Sequence, residues 1–186
     1  MFSSKKVLQE IVYLLKLNGN QMPLIKLIKE LYLIDRLSIS ERETSVSGDY
    51  FFSMNHGPIL SFTFNMLRDI TRSGWRDYLQ AVESGHYFPD ISIIAKQIGE
   101  DLLSEKEKGY ISRISEEFFN YSSSEIADFT YRLPECNYQE GSSKEIKFAD
   151  IMTALRKSDK DIRVAKEEYE FFYKEYVQYI PELRCD

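Results

Sequence analysis

VSGDYFFSMNHGPI, residues 46–59, joins two apolar segments with helical spacing and thereby organises the chain. Its Ser47-Gly48-Asp49 piece predicts a turn, because Gly and Asp adopt turn conformations readily. The aromatic-rich residues 50–54 predict a short strand. Gly57-Pro58 predicts the end of that strand, with Pro58 opening a helix that reaches Arg72.

Two helices are predicted before this stretch. Apolar residues recur every three or four positions from about Ser4 to Leu17, and Asn18-Gly19-Asn20 predicts the helix end. Pro23 suits the first position of a second helix, which we expect to fray between Ser38 and Glu43. The apolar band of this second helix is wide, which indicates a central helix buried on most sides.

After the third helix, residues 86–89 and 91–94 predict two short strands, which we expect to form a hairpin beside the strand of residues 50–54. Ser104 and Glu107 fit a capping box, in which each side chain bonds the other residue's backbone at a helix start. A further helix is therefore predicted from this point.

Three more helices are predicted toward the C-terminus. Ser124 is a candidate N-cap for a helix of residues 125–131, and residues 148–156 predict another short helix. The last helix begins at Ser158-Asp159 and ends at Pro181, which cannot continue it. Its aromatic residues leave it apolar more than halfway round, so it is either deeply buried or offers a second face to a partner.

Together these elements predict a mainly α fold of α+β character. We expect a single compact helical domain of about seven helices with a small two- or three-stranded β element. The chain has 186 residues, 43% of them hydrophobic and with 13 Tyr and 12 Phe, which is enough apolar area for a real core.

The charge balance disfavours nucleic-acid binding. The chain carries 30 acidic and 24 basic residues, a net charge of −6. Nucleic-acid binders usually show a basic excess, because affinity depends on neutralising phosphates. The balance instead favours a cytoplasmic protein with a basic partner.

The cysteines and the apolar segments exclude other classes. Cys136 and Cys185 have no spacing typical of a metal site or a disulfide framework, so we expect no metal, no cofactor and reduced thiols. No apolar stretch approaches the length of a membrane span, and no signal peptide is evident, so no membrane association is expected.

Two segments carry a resemblance to a known family. LIKELYLIDR, residues 27–36, is similar to a "K-L-L-Y-x-A-D" helix, and residues 46–59 resemble an "ITGDxYVAMxxGPV" stretch without a gap. Both are features of the Panacea domain, the antitoxin SocA-like family. Residues 103–107 and 125–130 extend the resemblance, but Tyr131 stands where the family often has His.

The resemblance covers roughly residues 5 to 140. It implies a Panacea domain at 1–140 and a C-terminal extension at 141–186, with the long amphipathic helix packing on the same domain. It also implies a role without a reaction: an antitoxin that neutralises a cognate toxin by direct complex formation, or an adaptor that brings the toxin to a ClpXP-type protease. The chain is accordingly expected not to be an enzyme, and self-association stays open.

Protein recognition needs a pre-formed surface with a few dominant anchors. The candidate protein-binding residues are Asp49, Tyr50, Asn55, His56, Gly57, Pro58 and Tyr131. Each has a structural alternative: Asp49 can bond its own turn, and His56 can satisfy loose backbone groups beside a helix start. Asp35 and Arg36, at the end of the second helix, are expected to pair within the fold, because a buried charge needs a partner.

Two other functions compete with this one. A DNA-binding regulator would use the first three helices and a basic face, which Lys26, Lys29, Arg68, Arg72 and Arg76 could form. A hydrolase would use Asp49 and His56, but the sequence offers no nucleophile or orienting group for that pair, so no catalytic residue is assigned.

Overall fold

The computed structural model describes residues 2–94, 98–136 and 143–176, and for residues 169–176 the backbone alone. Seven helices and six strands lie within these ranges: α1 Ser4–Leu17, β1 Gln21–Pro23, α2 Leu24–Arg42, β2 Phe51–Met54, β3 Gly57–Leu60, α3 Ser61–Arg68, β4 Leu79–Val82, β5 Asp90–Ile93, α4 Glu105–Phe118, α5 Ser123–Tyr131, β6 Lys144–Ile146, α6 Phe148–Ala154 and α7 Asp159–Tyr176.

The centre of the molecule is α2, as its wide apolar band predicts. It packs against α4, α5, α6, β1 and β3. Because it has neighbours on every side, it buries apolar and charged residues alike, among them Lys29, Glu30 and Asp35. It starts directly after Pro23 and ends at Glu43, which takes the left-handed conformation at φ 58°. The other elements of the fold therefore pack around α2.

The strands form two antiparallel three-stranded sheets, in the orders β1-β5-β4 and β3-β2-β6. The strand at residues 91–94 is confirmed as β5, but its partners are β4 and the short β1. The predicted hairpin beside the strand of residues 50–54 is therefore wrong, and residues 86–89 lie in the loop before β5. Pairing between distant strands is not encoded in local composition, so the sequence could not reveal it.

The prediction for Gly57-Pro58 is also wrong. These residues open β3, which pairs with β2 through Ser53↔Pro58 and Met54↔Gly57, and α3 begins at Ser61 and ends at Arg68. Proline is tolerated here because β3 is an edge strand, where the missing N–H faces away from the ladder. The result is a β2–β3 hairpin in place of a lone strand.

The helix starts follow the capping rules. The Ser104–Glu107 capping box is present at α4. A second one starts α5, but its N-cap is Ser122 and not Ser124. At α7, Ser158 accepts a hydrogen bond from the backbone of Asp161, while the predicted end at Pro181 lies outside the described residues, and so does Cys185.

The fold is thus mainly helical with α+β character, as predicted. The long C-terminal helix packs against α6, and Ala165 on its inner side is buried in the main hydrophobic core. The aromatic side chains of residues 169–176 lie outside the described part, so the nature of its other face stays a prediction. No helix in the described ranges combines the length and the apolar character needed to cross a membrane.

Candidate functional site

A buried carboxylate joins the two sequence motifs. Asp35, near the middle of α2, accepts hydrogen bonds from the backbone N–H of Val46 at 2.6 Å and of Ser47 at 2.9 Å. The hydroxyl of Ser47 donates to its other oxygen. Burial raises the pKa of Asp35 to about 6, although these donors oppose the shift. The expectation that Asp35 bonds within the fold is confirmed.

Asp49 continues this chain of bonds toward α3. Its backbone N–H donates to the Ser47 hydroxyl at 3.0 Å, and its carboxylate accepts from the N–H groups of Tyr50, Phe62 and Thr63 and from the Thr63 hydroxyl. Leu60, the N-cap of α3, has no side-chain cap of its own. Asp49 therefore supplies the missing cap, and burial raises its pKa against those hydrogen bonds.

Pro58 and Arg36 also have partners inside the fold. The buried ammonium of Lys29 donates to the Pro58 carbonyl at 2.7 Å, and burial lowers the pKa of Lys29 to about 7. Arg36 Nε donates to the buried carboxylate of Glu135 at 2.6 Å. Asp49 and Pro58 are therefore buried residues that support the candidate site, and they do not form its exposed surface.

The exposed part of the predicted site is the turn of the β2–β3 hairpin. Asn55 and His56 occupy the turn and are exposed. Gly57 follows with φ +85°, a conformation that favours glycine. A Cβ on Gly57 would stand 3.1 Å from the Tyr131 backbone nitrogen and 3.1 Å from the Thr130 hydroxyl. The absence of a side chain at Gly57 thus lets the turn lie directly against the end of α5.

This contact brings distant predicted residues together. Gly57 is buried between the exposed Asn55-His56 turn and the end of α5, where Tyr131 lies. We call the exposed residues Asn55, His56 and Tyr131 the turn–α5 surface. Tyr131 is 45% exposed there. Tyr50 lies elsewhere: it is half-buried, and its ring packs edge-on against Phe62 with centroids 5.5 Å apart. The turn–α5 surface combines an amide and an imidazole on a hairpin turn with a phenol at the end of a helix.

The family assignment rests on the same elements. The family model described as "Antitoxin SocA-like, Panacea domain" matches residues 27–136, more than half of the chain. The chain belongs to the SocA-like antitoxin family. The Panacea match begins within α2 and ends after α5, so it includes both motifs and the whole turn–α5 surface. No curated protein and no solved structure matches the chain.

The basic face expected of a DNA-binding regulator is not formed by the residues proposed for it. In this Panacea domain Lys26 and Lys29 are buried and donate to backbone carbonyls, Lys26 to that of Phe119 at 2.8 Å. Arg72 lies 3.6 Å from Asp69, which offsets its charge. Two of the five residues in that set are therefore unavailable to phosphates.

The acid–base pair expected of a hydrolase is not formed either. Both carboxylate oxygens of Asp49 accept hydrogen bonds from backbone N–H groups at the start of α3, while His56 lies at the exposed turn. Among the residues that the structure describes, no group of three or more His, Cys, Asp or Glu side chains is arranged to hold a metal ion.

One exposed surface of this Panacea domain is not predicted by the sequence patterns above. Phe119, Tyr121 and Phe129 are exposed around the end of α4 and along α5. Helical spacing alone assigns such rings to the core, because aromatic residues are the main source of buried area. The composition around these rings could have indicated their exposure, because residues 116–131 contain four acidic residues and no basic one.

Proposed function

We propose that this chain is a cytoplasmic antitoxin that binds a cognate toxin protein through the turn–α5 surface. The observation that carries the proposal is the close approach of Gly57, which follows the exposed Asn55-His56 turn, to the backbone of Tyr131. Family membership supports the antitoxin role in general. The binding residues and the non-enzymatic mode of action are part of the proposal.

The arrangement suits a pre-formed binding surface. The hairpin is fixed by the β2–β3 ladder and by the hydrogen bonds of Asp35 and Asp49 below it. A surface held in this way loses little side-chain and loop entropy on binding, so more of the contact energy appears as affinity. Exposed Tyr131 and His56 are the anchors we assign to it.

Neutralisation can follow binding in two ways. The complex can block the toxin directly, or the antitoxin can deliver the toxin to a ClpXP-type protease. Both need the same first contact, and toxin half-life separates them. Direct blocking leaves the toxin level constant, whereas delivery shortens its half-life only when the protease is present.

The test is co-expression of the chain with the product of the flanking gene, scored by growth rescue and co-purification. We expect His56→Ala and Tyr131→Ala to weaken both readouts while the melting temperature stays unchanged. The chain offers matched controls: His86→Ala and Tyr87→Ala alter an exposed histidine and an exposed tyrosine on the β4–β5 loop. Equal rescue by all four variants would remove the turn–α5 surface from the proposal. Absence of toxicity and of any complex with the unaltered chain would remove the antitoxin function itself.

A further inference from the structure

Two exposed aromatic rings contact one buried ring at the junction of α4 and α5, and a third exposed aromatic residue follows the buried one in sequence. Phe118 is buried, and its ring contacts Tyr121 at 4.9 Å and Phe129 at 5.0 Å between centroids. Phe119, the next residue, is 59% exposed. Tyr121 and Phe129 are therefore both held against the same buried ring, and Phe119 follows that ring along the chain.

The backbone under these rings is fixed on both sides of the junction. Lys26 on α2 donates to the carbonyl of Phe119. The first turn of α5 is held by Glu125, which accepts bonds from the N–H and hydroxyl of Ser122. Exposed rings on so rigid a base lose little entropy when a partner covers them, as is usual for the anchors of a binding surface.

The same segment is acidic. Glu116, Glu117, Glu125 and Asp128 are all exposed, and residues 116–131 contain no Lys, Arg or His. Within the described ranges none of these four carboxylates forms an ion pair with a basic side chain. We call these four residues, with Phe119, Tyr121 and Phe129, the aromatic–acidic surface. Arg113 on α4 interacts electrostatically with Glu117 and offsets part of this charge.

We propose that the aromatic–acidic surface docks a basic face of the toxin, with Lys or Arg side chains surrounding an apolar patch that covers the three rings. This inference rests on the proposed antitoxin function and names the chemistry of the partner. Opposite charge brings the partner in and fixes its register, while the rings supply the buried area. Tyr131, at the end of the same helix, links this surface to the turn–α5 surface.

The charge selects this occupant over two others. A second copy docked by two-fold symmetry would place the acidic residues of one copy against those of the other, which costs free energy. Nucleic acid would place phosphates against carboxylates. A basic protein surface is the occupant that these charges attract.

The test uses the full chain and the flanking gene product. Carbodiimide cross-linking, which joins a carboxylate directly to a lysine in contact with it, should connect Glu116, Glu117 or Asp128 to lysines of the toxin. Independently, Glu116→Lys with Asp128→Lys should raise the dissociation constant roughly tenfold or more. Phe119→Ala should raise it by a similar factor. The matched control is Asp77→Lys with Glu83→Lys, which reverses two exposed charges on the segment between α3 and β5.

The outcomes separate the inference from the proposed function. Weaker binding by the two surface variants with an unchanged control and an unchanged melting temperature supports the inference. The inference is overturned if both surface variants bind as tightly as the unaltered chain and no cross-link forms from residues 116–128. The antitoxin function would then still stand. Self-association that disappears in Phe119→Ala assigns the surface to a second copy and also overturns it. Failure of the unaltered chain to bind overturns the inference and the proposed function together.

Discussion

Asp49 caps helix α3 from fourteen residues away, through bonds of 2.9 Å and 2.7 Å to the backbone nitrogen and hydroxyl of Thr63. Because Asp49 also bonds Ser47, which in turn bonds Asp35, one line of polar contacts runs from α2 to α3. Both motifs of the family are connected by this line. Their chemistry is structural, and the residues exposed above it are the ones available to a partner.

Replacing Asp49 with Ala should lower the free energy of unfolding by about 2 to 3 kcal/mol, because the start of α3 loses its cap and buried N–H groups lose their acceptor. Urea denaturation measures this change. Thr63→Val is the milder comparison: it removes the hydroxyl bond and keeps the backbone bond, so a loss of about 1 kcal/mol is expected. An Asp49→Ala variant with full stability and no toxin binding would instead make Asp49 an interface residue.

Gly57→Ala should lower the free energy of unfolding by about 2 kcal/mol. The added Cβ meets the Tyr131 backbone at 3.1 Å, and φ +85° is strained for any residue with a side chain. Thermal melting followed by circular dichroism measures the loss, and toxin binding should fall with it as Tyr131 is displaced. Gly74→Ala is the control, since its Cβ would meet nothing within 4 Å. Equal melting temperatures for the two variants would contradict the close approach.

Some of the fold follows from the sequence because its signals are local. The bounds of α1 and the Ser104–Glu107 capping box were predicted correctly from spacing alone. The N-cap of α5 was also within reach: Ser122 and Glu125 stand three residues apart, as a capping box requires, whereas Ser124 and Glu125 do not.

Other features depend on contacts between distant segments. The edge position of β3 makes Pro58 acceptable in a strand, and no local pattern indicates it. Burial of Lys29 depends on the carbonyl that β3 presents to it, so composition placed this residue on the surface. In the candidate site, Tyr131 was named because it replaces a histidine common in the family, and His56 because it lies in the motif of residues 46–59. The contact between Gly57 and the end of α5 required the fold, because these two segments meet only in three dimensions.

Gly109→Ala should stabilise the protein by about 1 kcal/mol. Gly109 lies inside α4, is exposed, and has open space where a Cβ would stand. Glycine in a helix costs backbone entropy relative to alanine. The useful comparison is Gly85→Ala, which also has open space but a φ of +75°, so it should destabilise. Chemical denaturation measures the free energy of unfolding of both variants. A change of the same sign in the two variants would contradict this prediction.

The pH dependence of stability should reach a minimum between about pH 7 and pH 8. Burial raises the pKa of Glu30 from 4.5 to about 8. Between these values the unfolded chain releases a proton that the folded protein keeps, so stability falls as pH rises through this window. Lys29 acts in the opposite sense: its pKa falls from 10.5 to about 7, so its contribution is regained as pH rises from about 7 to 10.5. Near neutral pH the two slopes oppose each other.

Glu30→Gln removes the contribution of Glu30 to the falling limb of this profile, to which the raised pKa of Asp35 adds below about pH 6. Glu30 is fully buried. Among the described residues its carboxylate oxygens have no hydrogen-bond partner, and Lys26 lies 3.8 Å away. The variant should therefore gain stability relative to the unaltered chain as pH rises from about 4.5 to about 8, with a slope of at most about 1.4 kcal/mol per pH unit. Urea denaturation across this range measures the difference. Glu117→Gln, at an exposed position, should give a profile parallel to that of the unaltered chain. A parallel profile for Glu30→Gln as well would mean that Glu30 is ionised in the folded protein, and that Lys26 compensates its burial.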